Sequence, residues 1–228
     1  MRIRPDNSMY LDLNTDGKPK DNRMVAVILA ALAGAMLLFA GISRHWIGHP
    51  QFGVFFGPRG CEGCGTLVSG FEHDEPPNMT NGAFIEKLRE RLTTSSSDDL
   101  EAAAAASDAA DKVTSSAFAP MGWLTFAASI IGGVSLLVCA FLVFQKKKVD
   151  LKVAPTTIAL LSLVIGMITA CIFVATKPLG PGGVGVQYTF WIYGAGLVMG
   201  LASAQMLAKM LRPEDPDLLE GAMQPDAY

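Results

Sequence analysis

Residues 121–145 read MGWLTFAASIIGGVSLLVCAFLVFQ, without an Asp, Glu, Lys or Arg. A hydrocarbon core of about 30 Å takes about 20 helical residues to cross, so this run spans it with length to spare. Its apolar residues fall on every side of a helix instead of one stripe, the pattern of a helix with no aqueous face. Working outward, residues 24–43, 153–176 and 186–208 are each also long enough to span and equally free of charge. The chain as a whole has 228 residues, 50% apolar and 17% charged, with a net charge of −3. Soluble domains average about 25% charged residues, and the deficit here argues against a collagen, a disordered chain or a nucleic-acid binder.

Backbone amides in lipid must be satisfied within the segment, and four segments are too few for a closed barrel. The expected fold is therefore an all-α membrane protein. It is a four-transmembrane-helix antiparallel bundle with a large structured outer loop that holds a small β-sheet and one or two helices. The segmentation is residues 1–23 as a cytoplasmic tail, 24–43 as the first span, 44–120 as a large extracytoplasmic loop and 121–145 as the second span. Residues 146–152 follow as a basic cytoplasmic loop, 153–176 as the third span, 177–185 as a short outer loop, 186–208 as the fourth span and 209–228 as an acidic cytoplasmic tail. The first span is read as a retained anchor, because its apolar core exceeds the roughly 7 to 15 residues of a signal peptide.

Short flanks rich in Lys and Arg lie on the cytoplasmic side. Arg2, Arg4, Lys18, Lys20 and Arg23 precede the first span, Lys146, Lys147, Lys148 and Lys152 separate the second and third, and Lys209 and Arg212 follow the fourth. Loop three offers only Lys177. Both termini are predicted cytoplasmic, in a plasma membrane or bacterial inner membrane. Trp46, Trp123 and Trp191 fall at the outer ends of spans, beside Tyr188 and Tyr193, as an aromatic belt at the headgroups would.

Helices in lipid associate through close backbone approach, which small residues four apart permit. Ala30 with Gly34, Ser129 with Gly133, Ser162 with Gly166 and Gly196 with Gly200 meet that spacing. Gly133, Gly166, Gly196 and Gly200 are the expected packing residues, with Gly196 and Gly200, extended by Gly194, as the main crossing. Pro155 opens the third span, and Pro178 and Pro181 amid glycines make loop three a short turn that leaves spans three and four antiparallel neighbours.

Ion pathways and proton relays need ionisable groups at membrane depth, and the four spans have none. No Walker-type loop, HExxH or assembled Ser, His and Asp set is present, so no enzyme activity is expected, and no selectivity-filter pattern supports a channel. Loop one holds the remaining chemistry. Residues 46–71, rich in Gly, Phe and Val, read as short strands, and Phe84, Ile85, Leu88 and Leu92 make the apolar stripe of a helix. A second helix is read over 98–113, led by Ser97 and Asp98, with an alanine-rich stalk as the alternative.

Cys61-Glu62-Gly63-Cys64 is a CxxC, and His45, His49 and His73 share its loop. Three readings compete. An oxidising outer compartment favours a Cys61–Cys64 disulfide. His45, His49, Cys61 and Cys64 supply the four ligands of a zinc site. A redox dithiol needs a lowered thiol pKa. No other cofactor is expected. Cys139 and Cys171 read as small apolar residues of the spans, and Asn78-Met79-Thr80 is a glycosylation sequon.

Trp46, Gly53-Val54-Phe55 and then two cysteines, in the first outer loop of a four-span chain, resemble the claudin and PMP-type tetraspan proteins. The resemblance implies that Trp46 matches that family's first loop Trp, that Gly53-Val54-Phe55 matches its Gly-Leu-Trp, and that Cys61 and Cys64 match its disulfide pair. It also implies a small sheet continuing above a left-handed four-helix bundle. The family's cysteines stand farther apart, and its loop lacks so long an alanine-rich insert. The function expected is a non-enzymatic scaffold for lateral assembly or adhesion. Its partners are the lipid bilayer and other membrane proteins or a second copy, with no nucleic acid. The alternative is an accessory subunit of a larger membrane enzyme or transport complex, with zinc or a redox pair in the loop.

Overall fold

The computed structural model describes residues 22–49, 53–65, 78–94, 115–146, 155–178 and 184–211. It is mostly helical, with four long apolar helices and a small antiparallel sheet. The long helices are α1 (Arg23–Ile42), α3 (Phe118–Phe144), α4 (Pro155–Ala175) and α5 (Tyr188–Leu211), each long and apolar enough to cross a membrane. A shorter helix, α2 (Asn81–Thr94), precedes α3. Pro155 opens α4, where a missing amide donor costs nothing. Pro120 is accommodated in the first turn of α3 for the same reason. The helix read from sequence over 98–113, together with His73, Lys147, Lys148, Lys152 and both tails, lies outside the described residues.

Helix α3 packs along both α1 and α4, and α1 packs along α5. Helices α4 and α5 touch, but the main neighbour of α5 is α1. Helices α1 and α3 approach closely at two glycines. A Cβ on Gly34 would lie 2.9 Å from the Gly133 carbonyl oxygen, and one on Gly133 would lie 3.0 Å from that of Gly34. Gly196 and Gly200 instead receive side chains, Leu37 at 3.4 Å and Leu136 at 3.1 Å, while Gly194 faces open space. Gly34 and Gly133 thus face each other's backbone with Leu38 and Leu137 beside them, while Gly196 and Gly200, the crossing expected from sequence, pack against side chains of α1, α3 and α4. Gly166 lies under the Tyr193 hydroxyl. The Thr125 hydroxyl donates to the Met121 carbonyl at 2.8 Å and lies 3.0 Å from the Thr169 hydroxyl, which joins α3 to α4 without a charged group.

One end of the helices is marked by Ala26, Ala30, Cys139, Val143, Leu207 and Leu211, which cluster the start of α1 with the ends of α3 and α5. There the Arg23 guanidinium donates to the Val143 and Phe144 carbonyls. Carbonyls at a helix C-terminus lack intrahelical partners and carry partial negative charge, so a cation suits the position.

The sheet contains β1 (Ile47–His49), β2 (Val54–Gly57), β3 (Gly60–Glu62), β4 (Asn78–Met79) and β5 (Gly185–Val186), in the order β4-β3-β2-β1-β5. Every pairing is antiparallel. Strand β5 comes from the segment between α4 and α5, read from sequence as a plain turn, and pairs Val186 with Ile47. Side chains alternate across a strand. The register puts Ile47, Phe56, Cys61 and Met79 in one row and Gly48, Phe55, Glu62 and Asn78 in the other. The first row is buried apart from half-buried Met79, while Glu62 and Asn78 in the second are exposed.

Candidate functional site: a stapled head on the helix ends

The chain leaves α1 at Ser43, whose amide donates to the Phe39 and Ala40 carbonyls, and turns back over the helix ends. That turn buries Trp46 completely. Its indole N–H donates to the Ala40 carbonyl at 2.6 Å. The backbone N–H donates to Phe56 O at 3.0 Å, and the Trp46 carbonyl accepts from Gln187 N–H at 2.7 Å. The ring lies 4.6 Å from Tyr193, 5.8 Å from Phe190 and 6.1 Å from Phe173, between centroids. One residue thus ties α1, α4, α5, β2 and the approach to β5. The headgroup-belt expectation for Trp46 is corrected: a belt ring faces lipid, whereas this one has both its donor and its faces satisfied inside the protein. Trp123 and Trp191 are 49% and 69% exposed.

A second aromatic series continues the join. Phe56 meets Phe84 of α2 at 5.0 Å and Phe118 of α3 at 5.9 Å, and Phe118 stacks on Phe173 at 4.5 Å. The sheet is therefore seated on the helix ends through rings from α2, α3, α4 and α5. The β2–β3 turn presses on the exit of α1, where a Cβ on Gly57 would fall 2.1 Å from Ser43 O and 2.6 Å from Arg44 Cα.

Asn81 holds the same turn from the other side. It is 1% exposed, and its amide donates to Gly57 O at 2.9 Å and Pro58 O at 3.4 Å. Thr80 caps α2, since its Oγ1 accepts from Ala83 N–H at 3.2 Å. Replacing Asn81 by Leu strands two carbonyls that had a buried donor. The expected loss is about 1–3 kcal/mol, read as a lower melting temperature in detergent. No sequence motif marks this role, and only the position of Asn81 after Thr80 hints at it.

Cys61 and Cys64 form a disulfide, with Cα atoms 5.9 Å apart and both side chains fully buried. Gly63 between them has φ +71°, and a Cβ there would meet Gly53 O at 2.2 Å, so the turn requires glycine on two counts. In this arrangement the two sulfurs are joined to each other, whereas the zinc reading needs both as thiolates. His45 packs on the Phe55 ring at 4.5 Å with Nε2 3.9 Å from the Glu62 carboxylate, and His49 ends β1. Under denaturing alkylation without reductant, Cys139 and Cys171 alone should react. Replacing Cys61 and Cys64 together by Ser should cost about 2 kcal/mol, the value expected for so short a closed loop.

Two polar residues fasten the β5 side. Lys177 Nζ donates to Val184 O at 2.6 Å, and Gln187 Nε2 donates to Gly48 O at 3.3 Å. From sequence, Lys177 reads only as a lone outer charge. The face turned away from the helices carries Phe55, Glu62 and Asn78, with His45 beside them. Gly48 makes room for it, since a Cβ there would meet Phe55 Cδ1 at 2.5 Å.

Fold and site together define a chain with four helices fit to cross a membrane and a disulfide-stapled five-stranded sheet drawn from two connecting segments. No family model and no curated protein matches the sequence.

Proposed function

We propose that the protein is a non-enzymatic multi-pass membrane scaffold, similar to the claudin and PMP-type tetraspan proteins. Its four long helices form an antiparallel bundle, both termini are cytoplasmic, and the sheet stands on the outer face. The membrane is a plasma membrane or bacterial inner membrane, and the outer head engages another membrane protein or a second copy. The observation that carries this reading is the union of the two segments flanking β1 and β5 in one sheet, with Trp46 bonded to both. A head so fastened presents Phe55, His45, Glu62 and Asn78 as a rigid surface, and rigidity lowers the entropic cost of binding. The lack of ionisable residues in the spans further supports a structural role over transport.

The test is metal content and free-thiol count on detergent-purified protein, with and without reductant. The scaffold reading expects two reactive thiols without reductant, four with it, and no zinc. One equivalent of zinc that is lost on replacing His45 or Cys61 would sink this reading and favour the metal-bearing accessory subunit.

A further inference from the structure

Two arginines flank the junction of head and helices. Arg44 is half-buried two residues past the end of α1, and Arg59 is exposed at the tip of the β2–β3 turn. That turn lies on the α1 exit. A Cβ on Gly57 would fall 2.6 Å from Arg44 Cα, which leaves the Cα atoms of Arg44 and Arg59 within about 12 Å of each other. Among the described residues neither guanidinium has an ion-pair or hydrogen-bond partner. An arginine cannot shed its charge by losing a proton, so two such groups held side by side are complementary to an anion. Their surroundings define its kind. On the helix side of Arg44 the exposed groups are apolar, Phe39 and Ile42 on α1 and Trp123 and Leu124 on α3. Trp123 follows Gly122, where a Cβ would meet the Pro58 carbonyl at 2.8 Å, so the residue before Arg59 rests on the start of α3. The β2–β3 turn thus lies at the border between apolar helix surface and polar head on both helices. In a bilayer that border is the headgroup level, where an exposed indole is at home.

We propose that Arg44 and Arg59 bind the phosphate of an anionic phospholipid of the outer leaflet, with its acyl chains along the exposed apolar side chains of α1 and α3 and Trp123 beside its ester groups. A guanidinium presents paired N–H donors that match two phosphate oxygens. Two guanidinium charges exceed the single charge of a phosphodiester and repel the ammonium of a choline headgroup, so a lipid with net negative charge is preferred. A free anion would gain the same hydrogen bonds and none of the apolar contact. The proposal rests on the membrane-spanning reading above.

The experiment is native mass spectrometry of the detergent-purified full chain, titrated with dioleoyl phosphatidylglycerol or dioleoyl phosphatidylcholine. Phosphatidylglycerol is expected to be retained more tightly than phosphatidylcholine, and excess inorganic phosphate is expected to leave it in place. Arg44→Gln and Arg59→Gln should each weaken its retention about fivefold and the pair about twenty-fivefold. Arg44→Lys with Arg59→Lys keeps the charge and should lose less than the glutamine pair. Lys146→Gln with Lys209→Gln removes two exposed cations at the opposite end of the helices and serves as the comparison. Loss from the arginine pair no greater than from this lysine pair, in wild-type protein that resists alkaline carbonate extraction from membranes, would overturn the site and leave the spanning reading intact. Displacement of the lipid by inorganic phosphate would overturn it in favour of a general anion site. Release of the chain by carbonate would overturn both the site and the spanning reading.

Discussion

Trp46→Ala is expected to be the most damaging single truncation in the head, at about 3–5 kcal/mol. The indole fills the junction of Phe173, Phe190 and Tyr193, and its N–H satisfies the Ala40 carbonyl in the last turn of α1. Alanine leaves a cavity among these rings and an unbonded carbonyl within it. The sheet should loosen while the long helices persist, because α3 holds α1 and α4 through contacts that do not involve the head. The measurement is limited proteolysis beside far-ultraviolet circular dichroism: new cleavage in the 44–117 region with helicity retained. Trp46→Phe separates the two contributions, since it keeps most of the ring and loses the donor, and should cost about 1–3 kcal/mol. A headgroup-belt Trp would behave differently, with both replacements nearly silent in detergent.

Gly57→Val is expected to cost about 3 kcal/mol, the upper part of the range for overpacking. The obstacle is backbone, Ser43 O at 2.1 Å and Arg44 Cα at 2.6 Å from the position of the new Cβ, so no side-chain rotation relieves it. Either α1 must end earlier or the β2–β3 turn must lift, and the second breaks the Asn81 bonds to Gly57 and Pro58. Gly53→Ala is the matched comparison. Gly53 has φ +64° but open space around it, so only the left-handed backbone penalty of about 1 kcal/mol applies. Thermal unfolding of both variants in one detergent should rank them in this order; equal losses would show that the α1 exit yields freely.

The helices were legible because charge-free runs of twenty or more residues have few other uses, and their ends shift by only a few residues between sequence and structure. The strands near Trp46 were legible from Gly-Phe-Val alternation, and α2 from the spacing of Phe84 and Leu88. Strand β5 was not, since Gly185 and Val186 carry no periodicity and pair because Trp46 and Gln187 bring the backbones together. Trp46 misled for a related reason. Its place just past a span suits a lipid belt or a buried keystone equally, and only the reversal of the chain after Ser43 decides between them. Small-residue spacing identified faces that pack but not which glycines meet backbone to backbone, because the Gly34–Gly133 approach depends on which helices become neighbours. The CxxC spacing allowed disulfide, zinc and dithiol alike. The structure joins them in a disulfide with both side chains buried, Cys61 on the inner row of the sheet and Cys64 just beyond β3, an arrangement that depends on register.

The claim on which the rest depends is that the sheet lies on one side of a membrane and the Arg23 end of the helices on the other. Labelling with a membrane-impermeant maleimide on sealed, right-side-out vesicles tests it directly, using Glu62→Cys and Val186→Cys for the sheet and Lys146→Cys for the opposite end. The expected result is that the cysteines at 62 and 186 label from outside and the one at 146 labels only after permeabilisation. Equal labelling of all three in intact vesicles, or labelling at 146 from the same side as at 62, would contradict the four-span arrangement.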